Sequence, residues 1–174
     1  MGITKFNELI NAILDDDFEL FFSGKNHPSK KEIESYAAEI NCNFPDDFKC
    51  LSSSYLNGFL AEAKENVWPR KQGGAHWMFQ YALIIYGLDS GLPDWVNLRH
   101  EVNEFRDKTK TDLTPFMRTI SCSEPYCFTS DGQIVKWSND AWKAKLTESS
   151  FYDVFKQELV ELHTLKERAI SENI

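Results

Sequence analysis

Asp46 and Asp47 are the nearest thing in this 174-residue chain to a carboxylate pair for acid–base chemistry. Their spacing argues against that role, because neighbouring helix positions point about 100° apart and cannot readily share one proton. Four cysteines (Cys42, Cys50, Cys122, Cys127) contain no C-x-x-C pair, and His27, His76, His100 and His163 stand singly, none at the spacing of paired metal ligands. A cysteine nucleophile would need a histidine brought to it by the fold, and no strained-elbow signature marks such a site. Lys71 beside Gly73-Gly74 lacks both G-x-x-x-x-G-K-[ST] and G-x-G-x-x-G, so a β-turn accounts for it better than a phosphate cradle. The expectation is a protein with no catalytic residue, no cofactor and no metal, its cysteines reduced and packed.

Charge says more. The formal net charge is −8, which disfavours a nucleic-acid binder, since phosphate recognition needs a basic face to displace condensed counterions. Residues 1–62 hold eleven acids against five lysines, so −6 of the −8 lies in the first third of the chain. Asymmetry of this kind steers a basic protein partner, although solubilising charge alone would look the same. No run approaches the roughly 20 apolar residues of a membrane span, and Met1–Asp15 lacks the basic and apolar regions of a signal peptide, so the expected location is the cytoplasm.

The elements that must position these residues begin with a helix from Thr4 to about Asp15, whose acidic end, Asp15-Asp16-Asp17, reads as solvated and prone to fray against the helix dipole. Ser29 and Glu32 then form a capping box, and Ile33, Tyr36, Ala37 and Ile40 recur at i, i+3, i+4 and i+7 as a buried stripe. Pro45 suits the first turn of the next helix, Asp46 and Asp47 its positive end, and Phe48, Leu51 and Tyr55 its apolar stripe. Asn57-Gly58 tolerates positive φ and offers that helix a left-handed cap.

This order, a capped helix, the Phe44-Pro45-Asp46-Asp47-Phe48 restart and the Asn57-Gly58 stop, resembles the SUKH superfamily, known for a yeast regulator of cell-wall synthesis and for bacterial immunity proteins. The resemblance runs on past Asn57-Gly58. Strands are expected at Phe59–Glu62, through Val67-Trp68-Pro69-Arg70, and at His76–Gly87, where a nearly unbroken apolar run suits a central strand buried on both faces. Pro93-Asp94 opens a middle helix with Trp95, Leu98, Val102 and Phe105 inside and Arg99, Glu101, Glu104 and Arg106 outside, and Gly91–Leu98 is similar to the family's segment after its central strand. Tyr126–Ser130 and Gln133–Trp137 flank Asp131-Gly132 as a hairpin like the family's late one. Ser150 and Asp153 start a last helix with Phe151, Val154, Phe155, Leu159, Leu162 and Leu165 inside and Lys166 and Arg168 at its negative end, an opening similar to the family's closing helix.

Together these elements make one α+β domain over residues 1–174, with the recognisable motif at about 28–165. A central mostly antiparallel or mixed β-sheet is packed by N-terminal helices, a middle helix and a long C-terminal helix. Joined to the acidic balance, the resemblance implies an immunity protein that blocks a basic toxin, a nuclease or other nucleic-acid-modifying enzyme, by stoichiometric occlusion. The alternative is a regulatory protein-binding module of an endogenous pathway such as cell-wall synthesis. The expected toxin-binding residues are Asp15, Asp16, Asp17, Glu19, Asp46, Asp47 and Trp68, the last with a competing core reading, on a monomer or weak homodimer. Reversing the acidic triplet to lysine is expected to weaken binding without unfolding the domain, and truncating Trp77 or Phe155 to cost core stability.

Overall fold

The computed structural model describes residues 2–22, 27–67, 82–118 and 124–172. Trp68, Gly73, Gly74, His76, Trp77 and Cys122 lie outside the described residues, and with them most of the expected strand from Val67 and the first half of the His76–Gly87 strand.

Among the described residues, seven strands form one antiparallel sheet in chain order: β1 Phe18–Phe21, β2 Leu60–Ala63, β3 Ala82–Ile85, β4 Thr114–Arg118, β5 Pro125–Phe128, β6 Ile134–Ser138 and β7 Lys143–Thr147. All six strand pairings are antiparallel, which settles the choice between an antiparallel and a mixed sheet, and the parallel bridge of Gly87 with Asn97 lies outside the strands. Five α-helices among the described residues cover it: α1 Thr4–Ile13, α2 Lys30–Glu39, α3 Asp46–Ser52, α4 Leu98–Thr109 and α5 Phe151–Ser171. None of them is long and apolar enough to cross a membrane.

Alternation along β5 sorts the core into two faces. Tyr126 and Phe128 join Phe116 of β4 against the helices, where Phe116 stacks on Phe128 at 4.0 Å between ring centroids and Phe48 of α3 meets Phe128 at 5.1 Å and Phe151 of α5 at 5.4 Å. Cys127 points the other way, into a smaller cluster with Val135, Trp137 and Phe105 of α4. Helix α1 lies beside α5 and runs in the same direction, since Phe6 meets Phe151 near one end and Asp15 meets Lys166 near the other.

Both expected capping boxes are present. The Ser29 and Ser150 hydroxyls accept from the Glu32 and Asp153 N–H groups, and each carboxylate accepts from the cap residue in return. That reciprocal bond holds the Glu32 and Asp153 carboxyls below their ordinary pKa, chiefly through the serine hydroxyls.

Several readings are corrected. Helix α1 stops at Ile13, and Asp15 accepts the Asp17 N–H in a tight turn, so the acidic triplet is no frayed helix end. Pro45 caps α3 instead of entering it. That helix closes at Ser52, which leaves Tyr55 outside its stripe and 40 % exposed. Asn57-Gly58 therefore caps no helix. Asn57 is buried and its Oδ1 accepts the Leu88 N–H at 2.9 Å, tying the end of the helical region to the loop after β3. Pro93-Asp94 opens only a 3-10 turn over Asp94–Val96, with Trp95 exposed, and α4 has its own cap in Asn97, whose side chain accepts from the Arg99 and His100 N–H groups. Arg106, expected outside, is a strut that donates to the carbonyls of Ile40, Asp112 and Leu113 and to the Thr114 hydroxyl. Glu101 turns partly inward and accepts from Arg118 of β4.

Gly58, at φ +67°, and Gly87 pack backbone to backbone. A Cβ on Gly87 would meet Gly58 N, come within 2.6 Å of Gly58 Cα and meet a Leu92 methyl at the same distance. Gly87→Ala is therefore expected to lower stability by about 1–3 kcal/mol, the usual range for forced overpacking. Thermal unfolding that matches the parent would show that the two strand ends can separate without loss.

Candidate protein-binding surface

Two of the cysteines and the Asp46–Asp47 pair are not arranged for chemistry. Burial pushes the Cys42 and Cys127 thiols above their ordinary pKa, the opposite of an activated nucleophile. Their sulfurs face backbone carbonyls, Thr129 for Cys42 and Pro125 for Cys127. Asp46 and Asp47 diverge as adjacent helix positions must. The Asp46 side chain is almost wholly in solvent, within 3.5 Å of Lys49, while Asp47 turns inward to Lys5 of α1 at 2.8 Å. They share no proton. Both line a groove of about 580 Å³ floored by Ile134, Leu146 and Phe151.

Asp15 and Asp17 are brought together around a residue expected at the surface. Lys166 of α5 is fully buried, with its Nζ 2.7 Å from Asp15 Oδ2, 3.0 Å from Asp17 Oδ2 and 2.6 Å from Glu167 Oε1. Burial by itself lowers the lysine's pKa, but the hydrogen bonds it donates to Asp15, Glu167 and Asp17 outweigh that and hold the ammonium above the ordinary lysine range. Asp15, His163 and Glu167 place donor atoms within 4.8 Å of one another, as ligands of a divalent cation would. The Lys166 ammonium already supplies a positive charge there, so Lys166, Asp15, Asp17 and Glu167 read as an ion network with His163 Nε2 beside it, 3.3 Å from Asp15 Oδ2.

Asp16 and Glu19 remain free to meet a partner. Asp16 is exposed and its carbonyl accepts from Lys64, whereas Glu19 is exposed on β1, the first strand of the sheet. Trp68 lies outside the described residues. The two acidic groups do not converge: Asp47 sits by Lys5, which lies over the Tyr152 ring, and Asp15 sits by Lys166. The fourteen-residue step along α5 from Tyr152 to Lys166 separates the two groups by roughly 20 Å at 1.5 Å per residue.

The sequence reading missed the aromatic component of this surface. Phe21, Phe22 and Trp95 are each 41–47 % exposed and line a groove of about 390 Å³ with Leu60, Leu92 and Pro93. Glu19 and Phe21 stand two residues apart on β1 and so share a face. Tyr55 packs edge-on to Phe22 at 5.4 Å. Exposed aromatics gathered on a sheet edge and flanked by acids are the composition of a docking site and poor chemistry for catalysis. The available signal was the Phe18-Glu19-Leu20-Phe21-Phe22 run, but Leu92 and Trp95 reach it only through the fold.

Comparison with known families places one match over this architecture: the model of the SMI1 / KNR4 family (SUKH-1) matches residues 27–157. No curated protein matches the chain.

Proposed function

The chain belongs to the SMI1 / KNR4 family (SUKH-1), a membership consistent with a protein-binding role in toxin immunity or regulation, and from that premise we propose that it is an immunity protein that binds a cognate toxin one to one and occludes it. The observation that carries the reading is the aromatic groove of Phe21, Phe22 and Trp95 with Glu19 on the same strand face. Desolvated aromatics supply most of the affinity in such contacts, while surrounding acids choose a basic partner and speed its approach. A nuclease or other nucleic-acid-modifying toxin offers that chemistry, because the lysines and arginines that hold phosphate form a basic face. Occlusion of that face needs no catalytic group on the inhibitor.

The test is a titration of the purified chain against the toxin-like domain encoded beside its gene, at low and at physiological salt. Tight one-to-one binding that protects the toxin's target is expected, with association slowing as salt screens the acids. Phe21→Ala is expected to weaken binding at least about tenfold, the loss typical of an interface anchor. Glu19→Lys should slow association more than it speeds dissociation. Binding unchanged in both variants would remove this groove from the interface, and no binding at either salt would move the surface to an endogenous regulatory partner.

A further inference from the structure

The far edge of the sheet has the opposite charge. β7 gives its backbone ladder to β6 and little else, because Lys143, Ala144, Lys145 and Leu146 are all exposed. A strand with neither face covered adds little to the core beyond flanking Val135 and Trp137. Lys143 and Lys145 share one face, and Lys145 stands directly opposite Lys136 of β6. Like charges placed opposite one another across a ladder are destabilising. Lys136 lies over the Tyr126 ring at 5.0 Å, with Glu158 close enough to feel its charge, whereas Lys143 and Lys145 form no ion pair among the described residues. The other face of β7 is apolar, with Ala144 opposite Trp137 and Leu146 opposite Val135. Leu146 is 53 % exposed and Trp142, set edge-on to Trp137 at 5.7 Å, is 52 % exposed.

Lysines on an edge strand ordinarily guard it against chance pairing. Lys136 is not on the edge, so guarding does not account for the whole row. A lysine row is also a selective guard, since it repels a basic strand and attracts an acidic one. We propose that the outer edge of β7 is a docking strand for an extended segment of another protein in which acidic and apolar residues alternate. The segment would add to the sheet by main-chain hydrogen bonds, its acids toward Lys143 and Lys145 and its apolar residues beside Ala144, Leu146 and Trp142. The two edges of one sheet then select partners of opposite charge, a basic surface at β1 and an acidic strand at β7.

A short capped peptide alternating Glu and Val, N-methylated on alternate residues so that it cannot stack on itself, probes this without any toxin. Titrated into the isotope-labelled full chain, it is expected to shift the amide signals of Lys143–Thr147 and the Trp142 indole, with affinity falling several-fold from low to physiological salt. The matching Lys–Val peptide is expected to leave those signals in place. The surface variant Lys143→Glu/Lys145→Glu should reverse the preference while leaving signals outside β6 and β7 unchanged. An acidic peptide that moves no β7 amide, equal binding of both peptides, or unaltered binding by the double variant would each overturn the proposal, the last showing that the lysines only guard the edge.

Discussion

Phe155→Ala is expected to lower the free energy of unfolding by roughly 3–5 kcal/mol, the range for deleting a buried phenylalanine ring. The ring is fully buried and meets Phe6 of α1 at 5.9 Å, Phe59 at the entry to β2 at 5.7 Å and Phe151 one turn earlier on α5 at 6.3 Å. Cavity cost depends on whether neighbours can move in, and these cannot move freely. Phe6 also touches Tyr152, and Phe151 is held among Phe48, Phe116 and Phe128. Collapse toward the gap would pull α1 or β2 out of register with the rest. A loss of this size is a fifth or more of the 5–15 kcal/mol typical of a domain, so the variant should unfold at distinctly lower urea with an unchanged slope. A cost below about 1 kcal/mol would mean that the cluster repacks around the missing ring, contrary to the usual large-to-small penalty.

The parts of this fold legible in the sequence are those specified within one turn or one hairpin. Ser29 with Glu32 and Ser150 with Asp153 state their helix starts in four residues, and Asp131-Gly132 states its hairpin, with Gly132 at φ +85° in the loop. Phe151, Val154, Phe155, Leu159 and Leu162 announce the buried face of α5 by period alone. Three strands gave no such notice. β4 carries Pro115 and a bulge between Pro115 and Met117, which breaks alternation. β7 has no buried face to announce it, and β1 is a short edge recognised only by its pairing with β2, 39 to 45 residues away. Asn57 illustrates the same limit. Next to Gly58 it reads as a cap, but its bond goes to Leu88, thirty-one residues on.

The candidate site was half legible for the same reason. Charge density in the first third of the chain is a sum over residues and needs no structure. Which acids are free to meet a partner depends on distant cations: Lys5 engages Asp47 across 42 residues, and Lys166 engages Asp15 and Asp17 across 151 and 149. Subtracting those pairs leaves Asp16, Glu19 and Asp46 as the exposed acids of the original set, and it moves the weight of recognition toward the aromatic groove at β1.

Neutralising the clamp itself, with Asp15→Asn and Asp17→Asn together, is expected to cost about 3 kcal/mol, the low end of the loss when a buried charge is stripped of its partners. The low end applies because both carboxylates keep about two-fifths of their side-chain surface (44 % and 41 %), and Glu167 still reaches the ammonium. Lys166 has no such access to water, with 1 % of its side chain exposed. The opposite deletion is therefore milder. Lys166→Met keeps the buried stem and leaves behind carboxylates that water can solvate, so it should cost no more than about 1 kcal/mol. This asymmetry identifies the lysine as the group whose burial must be compensated, and equal costs for the two variants would refute it.

The pH dependence follows from the same geometry. Burial would raise the Asp15 carboxyl, but the bonds from Lys166 and the Asp17 N–H outweigh it and leave the pKa lowered, so its contribution is full above the ordinary carboxylate pKa of about 3.9 and is lost as acid protonates it below that. The raised pKa of Lys166 has the opposite sign, with its contribution full below the ordinary lysine pKa of about 10.4 and lost as alkali deprotonates the folded form. The clamp thus stabilises across neutral pH and fails at both extremes, and Lys166→Met should flatten the fall in stability at the alkaline end. The consequence reaches the binding surface. Reversing Asp15, Asp16 and Asp17 together to lysine would set two new ammonium groups against a buried one and unfold this end of the chain, so lost toxin binding in that variant would say nothing about contact. Asp16→Lys and Glu19→Lys leave the clamp intact, and only a loss of binding in those folded variants assigns the acids to the interface.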